Sequence, residues 1–538
     1  MSWEEIRDAK KAEQAARIPQ KWRLDPAILK GAEGVVNLRD YASSCGVLTA
    51  QELEITNQDA TELAEKIAKG TYSSLQVVTA FCKRCAIGQQ LCNYLTEIMF
   101  LPALEEAKKL DEYYQETGKT KGPLHGIPMT VKECFQIQGY DACVNYVSRT
   151  FNPSKADSYL IQILRAAGAV IIAKTNNPQT MMCAETDNNV FGQTKNSIVS
   201  HLTCGGSSGG EGSVIGFRGS ALGVGTDIGG SIRIPAAAQG VYGFKPSSGM
   251  LPLYGYAPSA WPGTNAGVPA VCGPLAHSAR DMSLLLNVVR SAQPWLVDPS
   301  MIPNIYEVPV KDRRPVVGVI RQSALTPNPS VKRAIDEAAA KLEAAGFTVK
   351  DFVPPDFAEI KKITQELFSV DGLSYAREQL EKTGEPLVES VAKLGLWFRK
   401  RKSYEEFWAL NAQKMGYQKK MLDSWQAAGV DIVLCPAGPH SAVPPGEWIN
   451  TMYTVCWNGV DYPAAIIPFT HVDPEKDRPF EKFTPLDSFD AKVDEQLQAL
   501  FDPELLRGAP VALQLVGQKW TDAQLLRDVD CVEAALRA

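Results

Sequence analysis

The sequence predicts an α/β fold: a single large α/β/α domain with a mixed, twisted central sheet covered by helices on both faces. Three observations lead there. Short continuous apolar runs, 169–173 foremost, suit strands buried on both sides. Stretches with helical apolar spacing alternate with those runs along the chain. No internal repeat, low-complexity tract or linker divides the 538 residues.

In chain order, residues 1–18 read as a charged amphipathic helix stopped near Pro19. Residues 20–58 are mixed and read as an extended arm, so 1–58 is an N-terminal helical arm and 59–538 the main domain. Helical spacing returns at 59–69, 73–93 and 102–114, three helices that would cover a sheet beginning later. That sheet starts at 126–132, followed by a helix over 157–167 and the apolar strand 169–173. Alternation resumes with strand 315–320, helix 329–345 and strand 347–353. Residues 357–428 are helical and charged, and read as an insertion rather than a domain. Apolar segments 431–435, 464–468 and 511–516 and a helix from Thr521 complete the chain.

Composition narrows the function classes. The net charge is −6 with both signs mixed, which lacks the basic patch of a nucleic-acid binder. No apolar run approaches a membrane span, and the charged start is unlike a secretory signal, so the expected location is cytoplasmic, with no membrane partner. The twelve cysteines are scattered, as reduced thiols would be. Cys82-Lys-Arg-Cys85 sits in a helical pattern without a second ligand pair, and reads as two thiols rather than a metal site.

The chemistry concentrates in residues 203–246. Within 205–243 there are 13 glycines in 39 positions, against 41 in the whole chain. Glycine at that density weakens helices and strands, and suits backbone that turns sharply or meets a ligand with bare N–H groups. A phosphate loop is excluded because Glu211 stands where a lysine is required. The pattern G-x-S-x-G occurs twice, around Ser207 and Ser208, as in a hydrolase elbow with His440 or His471 as a later partner. But the preceding residues make a poor strand, and that reading leaves Thr226-Asp-Ile-Gly-Gly-Ser231 without a task. Acyl transfer uses both clusters: a nucleophile at Ser231, a hydroxyl relay at Ser207, and the N–H groups of Ile228, Gly229, Gly230 and Ser231 as an oxyanion hole. The base is missing. A lysine serves if burial leaves it neutral, and composition does not choose which.

Gly205-Gly-Ser-Ser-Gly-Gly-Glu-Gly-Ser, Gly225-Thr-Asp-Ile-Gly-Gly-Ser-Ile-Arg233 and the following Pro235-Ala resemble the amidase signature family of Ser-cis-Ser-Lys hydrolases. The family's P-x-x-x-K pattern matches Pro128-Met-Thr-Val-Lys132. The resemblance implies Lys132 as base and acid, Ser207 as a relay in a cis peptide linkage, and Ser231 as the acyl-forming nucleophile. It further implies Met181, Ser207 and Thr226 at the substrate, Asp227 and Arg233 as supports, and a signature core over about 126–246. It extends through 431–436, 458–468 and 508–517, and is similar to the fungal acetamidase branch nearly end to end. The implied fold is that of the family; the implied reaction cleaves a small carboxamide to carboxylate and ammonia, with no metal or organic cofactor.

Alternatives on the same site are carbamate esters, as in a urethanase, and aryl or indole acetamides. A transamidation subunit and a lipid-amide hydrolase are the remaining relatives of that chemistry. Family members are often dimers, which leaves a homodimer open. His125 is an alternative base but reads as a packed loop residue, Cys134 as a small apolar neighbour, and Glu133 as pointing away from Lys132 by strand alternation. Tyr254, Tyr256 and Trp261, in 250–273, are candidates to shape the pocket.

Overall fold

The structure is a computed structural model describing residues 1–538 except 265–266, 304–310, 312, 322, 324, 449 and 481–487. Its spine is an eleven-stranded mixed sheet. The strands are β1 (Leu95–Ile98), β2 (Pro128–Lys132), β3 (Val170–Thr175), β4 (Leu222–Asp227), β5 (Tyr242–Lys245) and β6 (Val271–Ala276). They continue with β7 (Val317–Val319), β8 (Val349–Asp351), β9 (Ile432–Pro436), β10 (Ala464–His471) and β11 (Pro510–Val516). Their order across the sheet is β1-β3-β2-β4-β6-β5-β10-β11-β9-β7-β8. The pairs β3/β2, β2/β4, β9/β7 and β7/β8 are parallel and the rest antiparallel. Strands β2, β3 and β4 are buried at every residue, which is why they read as unbroken apolar or small-residue runs without alternation.

The helices begin where polar caps meet apolar spacing. Ser2 with Glu5, Ser73 with Gln76 and Ser403 with Glu406 form capping boxes at Trp3–Ala16, Ser74–Cys92 and Tyr404–Ala428. A second apolar cluster packs Phe357–Phe368, Tyr404–Ala428 and Met452–Gly459 against β9 and β10 through Ile360, Met421, Trp425 and Trp457. The segment expected as an insertion is thereby part of the core.

Three expectations change. The sheet does not begin at 126: Leu95–Ile98 already forms its edge, a run of four residues too short to display a period. Gln14 Nε2 donates to the carbonyls of Leu95 (2.7 Å) and Thr96 (3.2 Å), so the first helix covers that edge. Residues 20–58 are not extended. They form the short helices Pro26–Gly31, Leu38–Ser44 and Ala50–Thr56, capped by Asp25, Asn37 and Thr49, and place Trp22, Leu38, Ala42 and Ile55 in the main core. The glycine-rich stretch is also folded: it holds helix Gly209–Gly216, β4, helix Arg233–Gln239 and β5. Both helices pack on the sheet, where the small residues admit backbone close to backbone.

Candidate active site

Two parallel neighbours, β2 and β4, end at the same level of the sheet and deliver Lys132 and Thr226-Asp227. Ser207 lies just before helix Gly209–Gly216, and Ser231 just before helix Arg233–Gln239. The Gly206–Ser207 peptide is cis. A Cβ on Gly206 would stand 2.2 Å from the Glu185 carbonyl oxygen, so only glycine fits there.

Lys132 is wholly buried and separated by 75 residues from Ser207, yet its Nζ donates to Ser207 Oγ at 2.6 Å and to Thr226 Oγ1 at 3.0 Å. Burial pushes its pKa down to about 8 against the opposing pull of Cys134, Asp227 and Glu211. Among the described residues the lysine thus has hydroxyl partners and no carboxylate in ion-pair reach.

Ser231 is 9% exposed and faces a cavity. Among the described residues its Oγ has no hydrogen-bond partner, so the lysine–serine half of the expected relay is formed and the second serine is turned to the cavity. Ser208, the other serine in an elbow pattern, is engaged elsewhere. Its N–H donates to Ser231 O (3.1 Å), and its Oγ donates to Thr226 O (3.2 Å) and accepts from Thr226 N (3.3 Å). It ties the two serine loops and β4 together.

The loop between them is held by a buried ion pair. Asp227 accepts from Arg233 Nε and Nη2 (both 3.0 Å), from Asn458 Nδ2 (2.9 Å) and from the N–H groups of Gly230 (2.8 Å) and Ile232 (3.1 Å). Burial would raise its pKa, but the charge and hydrogen bonds of Arg233, with Lys245 and Asn458, hold it well below the usual carboxylate range. Arg233 also reaches Thr454 O, Gln514 Oε1 and Asn458 Oδ1. The expected oxyanion set is corrected here: the Gly230 N–H belongs to Asp227. Among the described residues the N–H groups of Ile228, Gly229 and Ser231 donate to no acceptor.

The cavity has two lobes that meet at Ser231, Ile228, Met181 and Phe368. One lobe runs between Ile234, Leu394 and Leu396. The other includes Ser207, Thr226, Leu253, Tyr256 and Leu373. Among the described residues no Asp, Glu, Lys or Arg lines either lobe. Met181 follows Thr180 in the left-handed region (φ 57° and 69°), an unusual backbone for either residue, at the wall of both lobes.

The other candidates separate cleanly. Tyr256 lines the cavity; Tyr254 is exposed, and Trp261 packs edge-on against Tyr375 at 5.0 Å. His125 Nδ1 accepts from the Lys121 N–H (2.9 Å) among Tyr113 and Tyr114. Glu133 turns away from Lys132, accepting from Thr96 Oγ1 (2.5 Å) and the Cys143 N–H (2.9 Å). His440 is buried with Nδ1 at 2.7 Å from Ser441 O, and Cys82 and Cys85 are buried in one helix. Sequence reasoning noted Ser208 and Glu211 without finding their tasks, and missed the cavity walls at 365–396. Nothing local marks those walls, since they are brought in by helices remote in the chain.

A family model described as Amidase matches residues 76–526. The acetamidase of Aspergillus oryzae is 34% identical over 545 residues, covering 98% of this chain and 97% of that protein. The acetamidase of Emericella nidulans is 34% identical over 540 residues, covering 98% and 96%. Among solved structures a fatty acid amide hydrolase superposes with a TM-score of 0.92 at 31% identity, covering 99% of this chain and 95% of the other. With a family match across most of its length and relatives aligned from end to end, the chain belongs to the amidase family and is an amide-hydrolysing enzyme.

Proposed function

We propose that amide hydrolysis proceeds through an acyl-enzyme on Ser231, with Ser207 as relay and Lys132 as base and then acid. The observation that carries this is the buried Lys132–Ser207 hydrogen bond, made by a lysine whose burial favours its neutral form. Neutral Lys132 takes the Ser207 proton while Ser207 takes that of Ser231, and Ser231 Oγ bonds to the carbonyl carbon. The second hydrogen bond closes when substrate packs the cavity, as catalytic contacts in unliganded sites commonly tighten. The N–H groups of Ile228, Gly229 and Ser231 receive the oxyanion. Collapse breaks the C–N bond, and the proton on Lys132 passes through Ser207 to the leaving amine, which cannot depart unprotonated. Water then cleaves the ester and frees the carboxylate. Asp227 and Arg233 act as supports, and Thr226 holds Lys132.

The substrate in this reading is a neutral amide whose apolar part exceeds an acetyl group. An uncharged cavity of two lobes supports it, because acetamide would leave the apolar wall at Leu394 and Leu396 without contact. Carbamate esters present the same carbonyl to the same N–H groups and form the second substrate class to assay. Residues 59–538 supply the catalytic groups of this reading, and 1–58 pack into the same core. The test is fluorophosphonate labelling combined with ammonia release from acetamide, benzamide, indoleacetamide and ethyl carbamate. Labelling is expected on Ser231 and lost in Ser231→Ala. Full turnover by that variant refutes the nucleophile, and a preference for acetamide refutes the substrate class.

A further inference from the structure

Helix Gly209–Gly216 carries one charged residue, Glu211, and it is wholly buried. Its Oε2 accepts from Thr130 Oγ1 and its Oε1 from Thr175 Oγ1, both at 2.8 Å. Those threonines are the neighbours of Lys132 in the sheet. Thr130 precedes it by two residues on β2, hence on the same face, and Thr175 is its register partner on β3. The sheet is hollowed to admit the carboxylate: a Cβ on Gly223 of β4 would stand 2.2 Å from Glu211 Oε2. Glu211 is also four residues beyond Ser207, so the carboxylate fastens the relay-serine segment onto the strands that carry the lysine.

The geometry points to Glu211 as a positioning residue for Lys132: a buried carboxylate, clamped by two hydroxyls on the lysine's own face of the sheet, that governs how readily the lysine gives up its proton. This rests on the lysine-base reading above. Few other charges face the pair. From the elements packed on this helix, β4 contributes Asp227, which is matched by Arg233; β3 contributes Lys174, which lies on the other face with Glu133; helix Ser74–Cys92 contributes the thiol Cys85 and the buried Arg84, whose Nε donates to Phe217 O beyond the far end of the Glu211 helix; β6 contributes the thiol Cys272. Cys134 is the remaining titratable group that acts on Lys132.

The two groups act on each other. Burial raises Glu211 to about 8, opposed by the threonine hydrogen bonds and by Lys132, in the range to which burial lowers the lysine. As the pair loses its first proton, an ionised Glu211 favours the charged lysine and so delays the neutral form that the reaction needs. Replacing the carboxylate by an isosteric amide removes this restraint; one threonine still donates to the amide oxygen and the other accepts from its NH2 group.

The experiment is the pH profile of kcat/KM on benzamide, normalised to its alkaline plateau, for Glu211→Gln. The acid limb is expected to move about 1 pH unit to lower pH, so that normalised activity well below the limb rises about tenfold. A purely structural carboxylate lowers the whole profile and leaves the midpoint in place, and an unmoved midpoint overturns the proposal. Thr175→Val covers the event that Glu211→Gln does not fold. It withdraws one hydrogen bond from the carboxylate and moves the limb in the same direction by less, whereas Thr175→Ser keeps the hydroxyl and restores the midpoint. Lys132→Ala separates the two readings. If its residual activity keeps the limb, the lysine-base reading falls; if the limb vanishes while Glu211→Gln and Thr175→Val leave it in place, only the role of Glu211 falls.

Discussion

Lys10 and Lys132 are both buried, at 2% and 0% exposure, but they sit among different partners. Lys10, on the first helix, pairs with Glu13 (2.9 Å), Glu97 (2.6 Å) and Asp141 (2.7 Å). Burial alone would lower its pKa, and the three carboxylates more than reverse that. Lys132 meets two hydroxyls, and burial prevails. The border between the two regimes is one residue wide. Glu133, the next residue, belongs to the ionic side with Lys174, whose Nζ lies 3.4 Å from it and donates to Asp141 O. Strands β2 and β3 thus present charge compensation on one face and a readily neutralised amine on the other. Depth of burial does not distinguish the two lysines; the carboxylate within reach does.

Lys132→Ala is the harshest test of that contrast. Proton transfer by a positioned group contributes about 10²–10⁴-fold, so kcat/KM is expected to fall about 10³-fold. In the parent enzyme the rate should rise with pH up to about 8 and level off above it, since the proposed mechanism requires the neutral lysine. A level profile through that region breaks the comparison at its centre.

The opposite side is tested by Lys10→Met. Removing one partner of a buried ionic group typically costs about 3–5 kcal/mol, because the carboxylates stay behind unpaired. The loss should appear as faster amide exchange through Trp3–Ala16 and Leu95–Ile98, with the acid limb of kcat/KM unmoved. A displaced limb would mean that the ionic face reaches Lys132 and that the two regimes are not separate.

How much of this was legible in the sequence follows the same division. Lys132, Ser207 and Ser231 lie in runs of recognisable residues, and the long apolar strands were visible because burial on both faces leaves unbroken patterns. Leu95–Ile98 was hidden by its brevity, and its pairing depends on β3, where the partner of Leu95 is Thr175, 80 residues further along the chain. Glu211 was legible only as a reason against phosphate binding, since its meaning requires Thr130, Thr175 and Gly223 from three strands. Asn458 and Gln514 stood in noted segments, but their task, holding the Asp227–Arg233 pair, exists only after folding. The Gly230 N–H illustrates the limit in reverse: successive glycines promise free donors, and a nearby aspartate claims one.

A milder change converts one regime into the other. Thr226→Asp places a carboxylate where Lys132 now has a hydroxyl at 3.0 Å. An opposite charge at that range raises a lysine pKa by about 1–3 units, so the acid limb should move up by that amount. Activity at pH near 7 should then fall about tenfold or more, and be recovered in part at alkaline pH. Loss without alkaline recovery would show that the hydroxyl is needed for contact rather than for the absence of charge.

Thr226→Val is the smallest and most discriminating change. The side chain keeps its shape and loses only the oxygen that accepts from Lys132 Nζ. A hydrogen bond to a charged donor is worth about 1.5–3 kcal/mol and one to a neutral donor about 0.5–1.5 kcal/mol, so the charged lysine loses more than the neutral one. The acid limb should therefore move to lower pH by about half a unit to one unit, opposite in sign to Thr226→Asp. The plateau should fall by only a few-fold, since Ser207 still holds the amine at 2.6 Å. Paired profiles of the valine and aspartate variants measure both signs on one side chain. Limbs that move in the same direction would show that Thr226 orients Lys132 without tuning its charge.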